Sequence, residues 1–172
     1  MSRLLIKVKR RHWDKHLPAF VEPGDITADC LMDLKVSDNG LSAWEVTENG
    51  ENLPRVLVAL AANCDHPTQI DYLIFDSEIP VKIGLKVQSN PGDTPDKAAD
   101  QTWHRDLVEI TGKKLLALAT AMFLEALRER CPQKEILKML KAAVLRNEID
   151  RSLVPNTLLQ KIDSTPVPPA QS

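Results

Sequence analysis

The residues best suited to meet a charged ligand lie close to the N-terminus, where Lys7, Lys9, Arg10 and Arg11 precede Trp13. Cations that track a phosphate backbone, beside a ring that can stack a base, are what single-strand binders combine. The plainer meaning is an edge strand guarded from aggregation by its lysines, with Trp13 a packing anchor. A second basic row, Lys134, Lys138 and Lys141 with Arg146 nearby, repeats at helical spacing. Glu135 and Glu148 dilute it, and a solvated helix face is the usual meaning of such a row. Lys7, Lys9, Arg10, Arg11, Trp13, Lys134, Lys138 and Lys141 are therefore the candidate contacts for a partner or a nucleic acid.

Other groupings carry less chemistry. His12 and His16 have the four-residue spacing that puts two imidazoles on one side of a helix, as zinc sites require, but Trp13 stands where a general-base glutamate would follow the first histidine. Cys64-Asp65-His66 holds a thiol and an imidazole too close in sequence for the line of a proton transfer. His104-Arg105-Asp106-Leu107 has the residue order that opens a kinase catalytic loop. Thr111 occupies the position where a magnesium-binding Asn belongs, and no glycine-rich loop accompanies it, so the match is one of chance. No catalytic residue, metal site or cofactor is expected.

The 172 residues suit one ordinary domain, and 43% hydrophobic with 27% charged side chains is normal for a folded soluble chain. A net charge of -2 argues against bulk electrostatic attraction to nucleic acid while leaving room for a local basic face. Acidic side chains gather elsewhere, at Glu22, Asp25, Asp29, Asp33, Asp38, Glu45, Glu48 and Glu51, so the N-terminal part is expected to be electrically bipolar. Cys30, Cys64 and Cys131 are odd in number and widely spaced, which points to free thiols in the cytoplasm. Lys7 interrupts the N-terminal apolar run too early for a secretory signal, and no apolar run approaches the roughly 20 residues of a membrane span.

The elements that must position these groups follow from periodicity. Alternation from Arg3 to Lys9 predicts a strand, and Leu31–Val36 with Leu41–Val46 around Asp38-Asn39-Gly40 predicts a hairpin. Asn52 and Pro54 open a helix; Ile70–Phe75 and Val81–Val87 read as strands. Asp96 opens a helical part. There, cations in a first turn at Lys113 and Lys114 oppose the helix dipole, which favours one long helix from Asp96 to Arg130 over two separated at Gly112. Lys113–Arg130 reads as its buried centre, so that Arg at Thr120 or Ala121 should unfold the protein. Pro132 opens a further amphipathic helix and Asn156–Ile162 a last short one.

The expected fold is α+β, a mixed or antiparallel sheet of about five strands with one packed helix, followed by a C-terminal helical section. Residues 1–92 would form the mixed half, 93–162 a helical half and 163–172 a disordered, proline-rich tail. The expected role is a non-enzymatic cytoplasmic module that binds a protein partner. Nucleic-acid binding through the basic strand is the alternative, and a metal-dependent hydrolase a distant third.

Overall fold

Alternating Leu4, Ile6 and Val8 do form a strand, β1 (Arg3–Val8), but its neighbours set its character. In a computed structural model, described for residues 2–14, 21–22 and 24–166, β1 lies in the middle of a sheet, not at its edge. The other strands are β2 (Leu41–Val46), β3 (Ile70–Asp76), β4 (Lys86–Ser89), β5 (His104–Val108) and β6 (Leu127–Cys131). Their order is β4-β5-β2-β1-β3-β6, and every neighbouring pair is antiparallel. The class is α+β as expected, with six strands in place of about five.

Both faces of the sheet are covered, so Leu5, which alternation would send to solvent, is fully buried. Leu5, Trp44, Tyr72 and Ile74 pack beneath α2 (Leu53–Ala62), α6 (Gln133–Leu145) and α7 (Asn156–Ser164), with Ala99 from α4 (Lys97–Trp103). Leu4, Ile6, Leu73, Phe75 and Leu107 face Trp13, α1 (Ala28–Asp33), α3 (Glu78–Lys82) and α5 (Gly112–Glu125). After Cys131 the chain is helical, in α6, a 3-10 turn and α7.

Several elements depart from expectation, each for a tertiary reason. The first arm of the predicted hairpin is helix α1, which turns Cys30 and Asp33 towards Trp13 and β1. Only the turn survives: Ser37 and Gly40 exchange backbone hydrogen bonds, and Asp38 and Asn39, rather than Gly40, carry the positive φ. Val81–Val87 is not one strand. Asp76 accepts from the Glu78 amide to start α3, and Gly84 (φ 81°) ends it, with Gly84 N donating to Val81 O and Leu85 N to Pro80 O.

The long helix from Asp96 to Arg130 is four elements. The Asp96 carboxylate caps α4 through Ala99 N, β5 then pairs between β2 and β4, Thr111 caps α5, and β6 pairs with β3. Residues 93–130 thus add two strands to the sheet. Gly112 is the first residue of α5, and Lys114 escapes the unfavourable dipole by donating to Gly84 O at 2.7 Å.

Helix α5 is no enclosed core helix. Leu118, Ala119, Met122 and Phe123 are buried, whereas Leu116 and Leu124 are 46% and 58% exposed and the Thr120 hydroxyl donates to Leu116 O at its own surface. The expectation that Arg at Thr120 unfolds the protein is therefore reversed. In urea denaturation Leu118→Ala should lose about 2–5 kcal/mol of stability, while Thr120→Arg should stay within about 1 kcal/mol of wild type.

Candidate binding surface at one end of the sheet

The C-terminal end of β1, the start of β3 and the end of β6 come together, because Val8 pairs with Asp71 and Asp71 with Arg130. Beyond β1 the chain bends into a 3-10 turn, Arg10–Trp13, secured by His12 N donating to Lys9 O at 2.9 Å. Two carboxylates anchor this bend. Asp33 accepts from Lys9 N at 2.9 Å and from the Trp13 indole at 3.1 Å, and Asp71 accepts from Arg10 N at 3.3 Å. Backbone donors and one indole thus hold the loop, leaving the cationic heads out of its architecture.

Lys7, Lys9, Arg10 and Arg11 are exposed and form no ion pair with any described residue. Lys7 Nζ lies 3.9 Å from Cys64 Sγ, and Arg11 Nε donates to His12 Nε2 at 3.2 Å. Arg130, beside them, is already committed to Asp71 through two bonds of 2.6 and 3.2 Å. Trp13 departs from the predicted set: it is completely buried against the sheet, so its ring is not presented for base stacking. Behind it sits Arg128. That guanidinium donates to Trp13 O at 2.5 Å and to the carbonyls of Phe123 and Ala126, and desolvation lowers its pKa.

The second basic row does not join this surface as a free charge array. Lys134 is exposed, but Lys138 pairs with Glu135 at 3.1 Å and Lys141 donates to Asp163 O at 3.3 Å. Arg146 is held by Glu148 through two bonds. Three of the four side chains are compensated within the helical section itself.

The candidate catalytic groups take structural parts. His12 Nδ1 is buried 3.0 Å from Asp33 Oδ1, a contact too poorly directed to be a hydrogen bond. His16, its proposed partner in metal binding, lies outside the described residues, and among the described residues no three His, Cys, Asp or Glu side chains form a metal site. His66 meets Lys161 Nζ at 3.1 Å, while Cys64 donates to Leu60 O at 3.6 Å. His104 is in a strand, its Nδ1 2.5 Å from Asn90 O and its ring edge-on to Trp44. A cleft of about 430 Å³ beside α4 is lined by Lys97, Glu148, Asp150 and Arg151, but Lys97 and Arg151 are paired with Asp93 and Asp163.

The acidic grouping expected in the N-terminal part is redistributed. Asp33 is buried inside the basic end, and Glu45 pairs with Arg105 at 2.5 Å. Glu48, Glu51, Asp76 and Glu78 gather at the opposite end of β1, where Arg3 pairs with Val46 and Asp76. Asp33, Asp71 and Arg128, which organise the basic end, had no local signal in the sequence, since each acts on residues far along the chain. Comparisons with protein-family models, with curated proteins and with solved structures find no match to this chain.

Two measurements test this geometry. Asp33→Ala strands the Lys9 amide and the Trp13 indole, and should cost about 2–4 kcal/mol in urea denaturation. Burial raises the thiol pKa of Cys30 and Cys131, so both should stay protonated and label slowly with iodoacetamide at pH 8, behind the half-exposed Cys64. These two thiols ionise more readily once unfolded, so their contribution to stability is intact below about pH 8.5 and falls as pH rises above it.

Proposed function

We propose that this protein is a non-enzymatic interaction module that binds an amphipathic helix of a partner protein against the outer face of α5. One observation carries the reading. Leu116 and Leu124 stand two turns apart on the solvent side of α5, with Ala117 and Thr120 between them. Leucines about 12 Å apart form a stripe along the axis, and small residues between them let another helix approach closely. Val81 on α3, which packs beside α5, is also exposed, at 61%. Helix-in-groove recognition uses anchors of this spacing. The structural engagement of His12, His66 and His104 supports a binding role over a catalytic one. Three free thiols support a cytoplasmic setting.

Thr120→Arg provides the test, because it places a charge in the stripe without disturbing the core. Wild-type protein immobilised in native lysate should retain one partner in near-stoichiometric amount, undiminished at 0.5 M salt. Thr120→Arg and Leu116→Arg/Leu124→Arg, folded by circular dichroism, should lose it at least tenfold. Equal capture by the variants, or capture that nuclease abolishes, defeats the proposal.

A further inference from the structure

The end of the sheet beyond β1 carries a different kind of surface, and its chemistry points to a different partner. Lys7, Lys9, Arg10 and Arg11 are adjacent, exposed and without ionic partners among the described residues. Their neighbours with opposite charge are occupied: Asp33 by Lys9 N, Trp13 and His12, Asp71 by Arg130 and Arg10 N. The four cationic heads are therefore displayed on a bend whose anchoring carboxylates are already engaged.

Two further observations bear on the ligand. Among the described residues, no exposed large apolar side chain belongs to β1 or the turn after it, so these two elements offer no desolvated apolar anchor of the kind on which protein interfaces concentrate their affinity. Trp13 is buried, so its ring is not offered for the stacking that single-stranded nucleic acid uses. What β1 and the turn present is a group of exposed cationic donors suited to neutralising phosphates. Lys7 and Lys9 point to one side of an extended segment about 7 Å apart, a spacing suited to successive points on a charged backbone.

We infer that this end of the sheet binds the phosphate backbone of double-stranded nucleic acid, without regard to sequence, through Lys7, Lys9, Arg10 and Arg11. The binding is a second activity, at a surface separate from the α5 stripe and independent of it. It works by release of counterions, with an affinity set by salt.

The test is fluorescence anisotropy of the full-length protein with a labelled 20-base-pair duplex of arbitrary sequence, its single strands, and a polyglutamate peptide as competitor. Wild type should bind the duplex, and four neutralised phosphates should give a log–log salt slope of about −3.6, a loss on the order of 100-fold between 50 and 200 mM salt. The charge-reversed variant K7E/K9E/R10E/R11E should lose binding at least 100-fold. The neutral variant K7Q/K9Q/R10Q/R11Q, which adds no repulsion, should flatten the slope towards zero with an unchanged thermal midpoint. Lys138→Gln/Lys141→Gln should bind as wild type. No duplex binding at 50 mM salt, binding that survives in the neutral variant, or a tenfold preference for single strands would each overturn the inference. Polyglutamate competing better than unlabelled duplex would transfer the surface to an acidic protein partner.

Discussion

Burial of the sheet on both faces is the constraint from which the rest of the structure follows. A six-residue central strand has apolar neighbours above, below and on either side, so it meets water only at its ends. Charges on β1 therefore cannot be distributed along it. Arg3 marks one end, near Glu48, Asp76 and Glu78, and Lys7 with its followers marks the other. The polarity of the molecule along the strand direction is a by-product of packing, and it concentrates cations in a chain whose net charge is slightly negative.

A two-sided core leaves its loops to be fixed by polar groups, and here carboxylates do most of that. Asp33 gathers the bend after β1. Asp96 is completely buried, accepts two bonds from Arg55 at 2.8 and 2.9 Å and caps α4, while Asp100 accepts from both the amide and the hydroxyl of Thr94. Asn52 does the same between β2 and α2, accepting from Thr47 and donating to Glu45 O. Groups engaged in this way specify where the chain goes. Gly92 belongs to the same region for a steric reason, since a Cβ there would lie 2.8 Å from the Asp100 carboxylate.

What the sequence made legible was whatever local chemistry decides alone. The strand β1, the cap at Asp96 and the amphipathic α6 after Pro132 all stand where spacing and capping put them. The failures share a cause. His104–Val108 and Leu127–Cys131 hold three Arg and two Leu, residues at ease in helices, and are strands because β2, β4 and β3 offer them ladders. Ala28–Asp33 is a helix because Asp33 must reach Lys9 and Trp13. In the candidate surface, the exposed cations were legible by residue type. The burial of Trp13 and the pairing of Arg130 depend on partners 20 and 59 residues away, and no window of sequence contains both.

Arg128 joins the two surfaces for which binding is proposed. Its guanidinium takes the carbonyls of Phe123 and Ala126 at the C-terminal end of α5, stacks over the Phe123 ring at 5.0 Å, and donates to Trp13 O directly after the basic bend. A half-buried guanidinium hydrogen-bonded to three backbone carbonyls ties the two elements together in one geometry. Here it sets the end of the α5 stripe against the end of β1 through a single planar group whose donors have fixed directions. The apolar stripe and the cationic bend are thus parts of one rigid frame. On the binding proposed for each, a surface held in one geometry keeps the ordering cost of binding low.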